Sequence, residues 1–225
     1  MKTVGSNKAP LTIIETLEEE DAAQSRTQFV LQKMTDHQPF ASHQLLFDGL
    51  VTRTKTGQAH VFRGTFKDSS NKVAIKMFLS RSPAEYEQEV AIMRAIPPHE
   101  NVVTLLHAVD ENPRRITVMP LLEGGSLENY YERTGVIPPA VIKQFLKQVA
   151  SGMAHMHSCN IAHLDLKCGN VLIDSSPLTS NRALICDFGM ATQIDGRAKA
   201  VYTGTPPFMA TEVHAESEDC DLTEG

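Results

Sequence analysis

The period of the apolar residues changes partway along this chain, and that change limits what it can build. From Leu45 to Leu79 the apolar residues fall in short runs, LLFDGLV, AHVFRGTF and KVAIKMFL, of the kind that fits a pleated, half-buried surface. A helix start follows. Ser82 is a natural N-cap, Pro83 fits the first helical position, and Glu85 completes a capping box. That helix should stop before Pro97-Pro98. Two more apolar runs, VVTLLHAV and RITVMPLL, lead to a Gly-rich turn, EGGS, and a short helix near Leu127 to Tyr131. After Pro138-Pro139, the residues Ile142, Phe145, Leu146, Val149, Met153 and Met156 recur at helical spacing. Strands with one helix, then helices, predict an α+β protein of two lobes.

The flanks have a different texture. Residues 1–44 are polar with a weak apolar face, and read as an N-terminal extension with the composition of a disordered segment. Residues 214–225 form an acidic tail. The net charge of -6 argues against non-specific binding to nucleic acid or anionic membranes. No apolar run is long enough to span a bilayer. The four cysteines, Cys159, Cys168, Cys186 and Cys220, have no CxxC spacing, and LTII is too short for the apolar region of a secretory signal. They read as reduced thiols, which places the chain in the cytoplasm or nucleus. His155, His157, Cys159 and His163 crowd one neighbourhood. They lack the spaced ligand pairs of a closed tetrahedral zinc site, so structural histidines are the better reading.

Charged groups interrupt the apolar runs at a few positions. In KVAIKMFL, alternation puts Ala74 and Lys76 on one face and Val73, Ile75 and Met77 on the other. A lysine there lies at an edge or faces an anion, and the small Ala74 beside it leaves room for a flat ligand. On the capped helix, Tyr86, Glu89, Val90 and Met93 share one face. Glu89 is thus a carboxylate on an apolar stripe, and Lys76 is the cation that fits it. The stretch NIAHLDLKCGNVLI, Asn160 to Ile173, carries a His, an Asp, a Lys and an Asn inside an apolar run. Buried charge is costly unless it is paired or used. Asp165 can accept a hydroxyl proton, Lys167 can neutralise a transferring phosphoryl group, and Asn170 with Asp187 offers hard oxygens suited to Mg²⁺. These are the parts of phosphoryl transfer.

The ordered set VAIK (73–76), HLDLKCGN (163–170), DFG (187–189) and ATE (210–212) resembles the signature of the eukaryotic-type Ser/Thr protein kinases. HENVVTLL and LLEGGSL look like the segments before and after that family's hinge. The resemblance runs from about Leu45 to Val213. It implies a two-lobed protein-kinase-like fold, with a small β-rich N-lobe with one helix (about 45–122) and an incomplete helical C-lobe (about 123–213). It implies ATP and Mg²⁺ as cofactors and serine or threonine hydroxyls of proteins as substrates. Residue by residue, Lys76 would hold the α- and β-phosphates and pair with Glu89. Asp165 would be the catalytic base, and Asn170 and Asp187 would bind the metal. Val61, Ala74 and Leu172 would enclose the adenine. Met119 falls at the gatekeeper position and Pro120 to Leu122 at the hinge. Leu122 would offer its N–H to adenine, while the place of Pro120 needs only a carbonyl. DLK with GTP (204–206) is similar to the Ser/Thr rather than the Tyr kinases, and implies that Thr205 bridges Asp165 and Lys167.

The chain departs from the family pattern in four places. The three glycine positions of the phosphate-covering loop hold Thr54, Thr56 and Ala59, with only Gly57 within. Weaker ATP binding is therefore expected. Leu164 stands where the catalytic loop usually has Arg, so no cation is expected there to clamp an activation-loop phosphate. Thr211 replaces the Pro of A-P-E, and the chain ends soon after Glu212. A truncated second lobe is expected to leave the helix after Pro138 partly uncovered and to need a protein partner. A pseudokinase-like scaffold is the alternative function. DFG and GTPPFMA argue against a small-molecule kinase of the aminoglycoside type.

Overall fold

The computed structural model describes residues 45–53, 59–67, 69, 71–79, 83–111, 114–175, 181–194 and 204–210. Five strands come first: β1 (Leu45–Arg53), β2 (Ala59–Phe66), β3 (Lys72–Phe78), β4 (His107–Glu111) and β5 (Arg114–Pro120). They form one antiparallel sheet in the order β1-β2-β3-β5-β4. Helix α1 (Ala84–Ala95) connects β3 to the rest of the sheet. Alternation along β3 works as the sequence implies. Val73, Ile75 and Met77 point into a core with Leu45, Phe62, Val109, Ile116 and Val118, while Lys76 and Ala74 face the other way.

Pro83 sits at the N-cap of α1, so the helix begins one residue later than the sequence predicts, and Pro83 makes no side-chain cap bond. The predicted cap Ser82 lies outside the described residues. The helix ends at Ala95, and Ile96 is extended before Pro97, as the restriction on a residue before proline requires.

The second lobe is helical, with short strand pairs. Helix α2 (Leu127–Thr134) starts from a capping box in which Ser126 and Asn129 satisfy each other's backbone. Helix α3 (Pro139–Ser158) follows. Beyond it lie β6 (Ile161–Ala162), a 3₁₀ turn (Cys168–Asn170), β7 (Val171–Asp174), β8 (Arg182–Ile185) and β9 (Thr192–Gln193). β7 pairs with β8 and β6 with β9. The fold is the two-lobed α+β fold predicted from the sequence. Gly152 lets α3 approach closely: a Cβ there would meet the Asn101 carbonyl oxygen at 2.7 Å and Ile185 Cδ1 at 2.9 Å.

The stripe on α3 is only partly covered. Phe145 and Met156 are buried and Val149 and Met153 pack partly, but Ile142 is 42 % and Leu146 63 % exposed. Among the described residues, no helix is long and apolar enough to cross a membrane.

Candidate active site

Two polar clusters lie near the meeting of the lobes, where Lys76 of β3 reaches Asp187. The first centres on Lys76, projecting from β3. Its Nζ donates to Glu89 Oε2 at 2.6 Å, to Glu89 Oε1 at 2.9 Å and to Asp187 Oδ1 at 2.9 Å. Glu89 reaches it because α1 packs its Tyr86, Val90 and Met93 face inward. Phe188, buried against Ile92 and Met93, holds the Asp187 turn to the same helix, and Gln88 Nε2 donates to the Ala191 carbonyl at 3.2 Å. Burial works against a charged Lys76, but the carboxylates of Glu89 and Asp187 outweigh it and hold the amine well above its ordinary range. Burial pushes the Glu89 carboxyl up against the pull of Lys76. Burial would also raise Asp187, yet Lys76 beside it brings that carboxyl below its ordinary value.

The second cluster centres on Asp165. Oδ1 accepts from Thr205 Oγ1 at 2.6 Å, and Oδ2 accepts from Lys167 Nζ at 2.5 Å and Asn170 Nδ2 at 2.9 Å. Lys167 Nζ also donates to Thr205 Oγ1 at 2.6 Å, so Thr205 joins the two charged groups. Asn170 Nδ2 reaches the Asp165 carbonyl as well, at 2.8 Å. These bonds leave the carboxylate one orientation. Two non-glycine residues with positive φ shape this region, Leu164 (φ 60) and Asp187 (φ 65), and such strain clusters at functional sites. Gly204 (φ 109) packs against Leu164: a Cβ on it would meet the Leu164 carbonyl oxygen at 2.5 Å.

His163 ties the two clusters together, a role the sequence reading does not give it. Its Nδ1 accepts from the Asp165 N–H at 3.3 Å, and its Nε2 donates to the Cys186 carbonyl at 3.0 Å. Burial holds its pKa below the ordinary value. Asn101 is a second residue missed. Its side chain donates to the Ala183 carbonyl at 2.9 Å, and its carbonyl accepts from the Ile185 N–H at 2.9 Å. It fixes β8, and so the approach to Asp187, from a loop 82 residues away; nothing local in HENVV signals that. Ser126 had a readable signal, a serine three residues before Asn129.

The apolar candidates lie on β2, β3 and β5, after β5 and on β7. Val61 pairs with Lys76 across β2 and β3, and Ala74 pairs with Met119 across β3 and β5. Pro120 pairs with Val73, Leu122 follows it, and Leu172 bridges to Ser126. All six are half-buried. Of the glycine-loop positions, Thr54, Thr56 and Gly57 lie outside the described residues, while Ala59 is buried in β2. The residues fit a magnesium ion in kind. Asn170 turns its amide nitrogen to Asp165, which leaves its oxygen as a donor, and Asp187 uses one oxygen on Lys76. Cys186 N–H donates to the Asn170 carbonyl at 3.0 Å, so the two candidates are neighbours. Magnesium is commonly held by one or two such side chains together with phosphates.

A family model described as protein kinase domain matches residues 55–222. The chain is similar to the probable serine/threonine-protein kinase zyg-1 of Caenorhabditis briggsae, 31 % identical over 155 residues, which cover 68 % of this chain and 22 % of that protein. It is 29 % identical over 167 residues to serine/threonine-protein kinase 33 of Bos taurus, covering 69 % and 32 %. To the probable serine/threonine-protein kinase zyg-1 of Caenorhabditis elegans it is 32 % identical over 150 residues, covering 66 % and 21 %. The matched segment spans a third or less of the length of these relatives.

Proposed function

This chain belongs to the protein kinase domain family, and we propose that it transfers the γ-phosphoryl group of ATP to serine or threonine hydroxyls of protein substrates. The observation that carries the reading is the pair of clusters. One holds Lys76 with Glu89 and Asp187, the other Asp165 with Thr205, Lys167 and Asn170, and His163 joins the Asp165 loop to Cys186 beside Asp187. Lys76 is placed to bind the α- and β-phosphates, with the adenine enclosed by Val61, Ala74 and Leu172 and passing Met119 to reach Pro120 and the Leu122 N–H. Asp165 orients the substrate hydroxyl and accepts its proton. Lys167 balances charge on the moving phosphoryl group. Mg²⁺, bound by Asn170 and Asp187, would neutralise the phosphate oxygens. The site is built for positioning and charge stabilisation, which carry most of phosphoryl transfer.

The test is incubation with γ-labelled ATP, Mg²⁺ and a mixture of proteins, followed by identification of the labelled residue. Label on phosphoserine or phosphothreonine is the expected result. Nucleotide binding with no transferred label would favour the scaffold function instead.

A further inference from the structure

Helix α3 turns an apolar and positively charged face outward. Pro139, Ile142, Lys143, Leu146, Lys147 and Ala150 line an open groove of about 480 Å³ along it. Ile142 and Leu146 form one exposed row, and Lys143 and Lys147 form the next. The two lysines sit one turn apart, roughly 6 Å along the axis. No aspartate or glutamate occurs anywhere on α3, and neither lysine pairs with a carboxylate of a described residue.

The complementary charge is concentrated in one segment of the chain. Residues 211–225 hold Glu212, Glu216, Glu218, Asp219, Asp221 and Glu224 and no lysine or arginine. The other 21 acids balance the 21 Lys and Arg, so the net charge of -6 resides in this segment. It lies outside the described residues, which end at Ala210. Its reach is sufficient: the stretch from Ala210 to Asp221 spans roughly 35 Å when extended, more than the roughly 30 Å of a 20-residue helix such as α3. Its pattern also fits. Laid extended between the two rows, alternate side chains fall to opposite sides, about 6.8 Å apart along each side. Asp219 and Asp221 would then match the lysine row, and Cys220 and Leu222 the Ile142 and Leu146 row. The acidic run Glu18 to Asp21 lacks this alternation, and residues 1–44 also carry Lys2, Lys8, Arg26 and Lys33.

We propose that residues 211–225 dock on the outer face of α3, with Asp219 and Asp221 on Lys143 and Lys147. Tethering raises the local concentration of the segment at the groove. Exposed ion pairs of this kind hold weakly and are screened by salt, so the contact registers in proximity rather than in melting.

The test is zero-length carbodiimide coupling of the dilute full chain, mixed with an equal amount of isotope-labelled chain and mapped by mass spectrometry. Lys143 and Lys147 should couple to Asp219 or Asp221 of the same chain severalfold more than any other lysine does. The yield should fall severalfold in about 1 M salt. Leu146→Asp keeps both lysines but sets a negative charge in the groove, and should lower the yield similarly with unchanged melting. Coupling spread evenly over the exposed lysines, or none at all, would overturn the proposal. So would coupling to Glu18 to Asp21, or coupling between labelled and unlabelled chains, which would make the occupant a second copy.

Discussion

Removing Lys76 should cost more stability than removing Glu89, and removing both should cost less than removing Lys76 alone. The asymmetry comes from the neighbours. Lys76→Met leaves Glu89, which is 2 % exposed, without its cation and close to Asp187. Breaking a buried pair in this way costs about 3–5 kcal/mol, a large share of the ~5–15 kcal/mol that holds a typical domain together. Glu89→Leu leaves Lys76 still bonded to Asp187 at 2.9 Å. Its cost should be smaller, on the order of 1.5–3 kcal/mol, the net worth of a charge-assisted hydrogen bond. The double variant has no orphaned buried carboxylate at Glu89 and should regain about 2 kcal/mol over Lys76→Met. A pH signature accompanies the single variant. Burial already pushes Glu89 up from its ordinary 4.5, and without Lys76 the native state holds a proton that the unfolded chain releases. The stability of Lys76→Met should therefore fall as pH rises above about 4.5. Urea melts of the four proteins across pH measure both effects. Additive costs, with no recovery in the double variant, would refute the reasoning.

Three further outcomes follow from the packing. His163 is held neutral by burial, below its ordinary 6.5; the unfolded chain takes up the proton first, so stability should decline as pH falls below 6.5, and His163→Phe should flatten that slope in thermal melts. Gly152→Ala should cost about 1–3 kcal/mol by pressing a methyl group on the Asn101 carbonyl, and a wild-type melting temperature would contradict this. On α3, Leu146→Gln should change stability by less than about 0.5 kcal/mol, whereas Phe145→Ala, one residue earlier but buried, should cost about 3–5 kcal/mol; similar melts for the two would mean that the Leu146 face is covered.

What the sequence made legible was periodic or clustered. Alternation along KVAIKMF located Lys76 opposite the core face, and helical spacing put Glu89 on the buried stripe of α1. The polar residues of HLDLKCGN stood out because charge inside an apolar run must be paired or used. The illegible parts act across long separations or through the backbone. Asn101 holds the Ala183 carbonyl, 82 residues away, and accepts from the Ile185 N–H, and the roles of both nitrogens of His163 exist only once the loop has closed. At α1, Pro83 takes the N-cap where the sequence put it at the first helical position, and Ser82, the expected cap, lies outside the described residues.

The central claim is that Asp165 is the group on which transfer depends, while nucleotide binding depends on others. Asp165→Asn keeps the shape of the side chain and removes its charge. Measured side by side, Mg-ATP affinity should stay close to wild type, and the rate of phosphate transfer to a protein substrate should fall on the order of 10²–10³-fold. Transfer at the wild-type rate in Asp165→Asn would contradict the account.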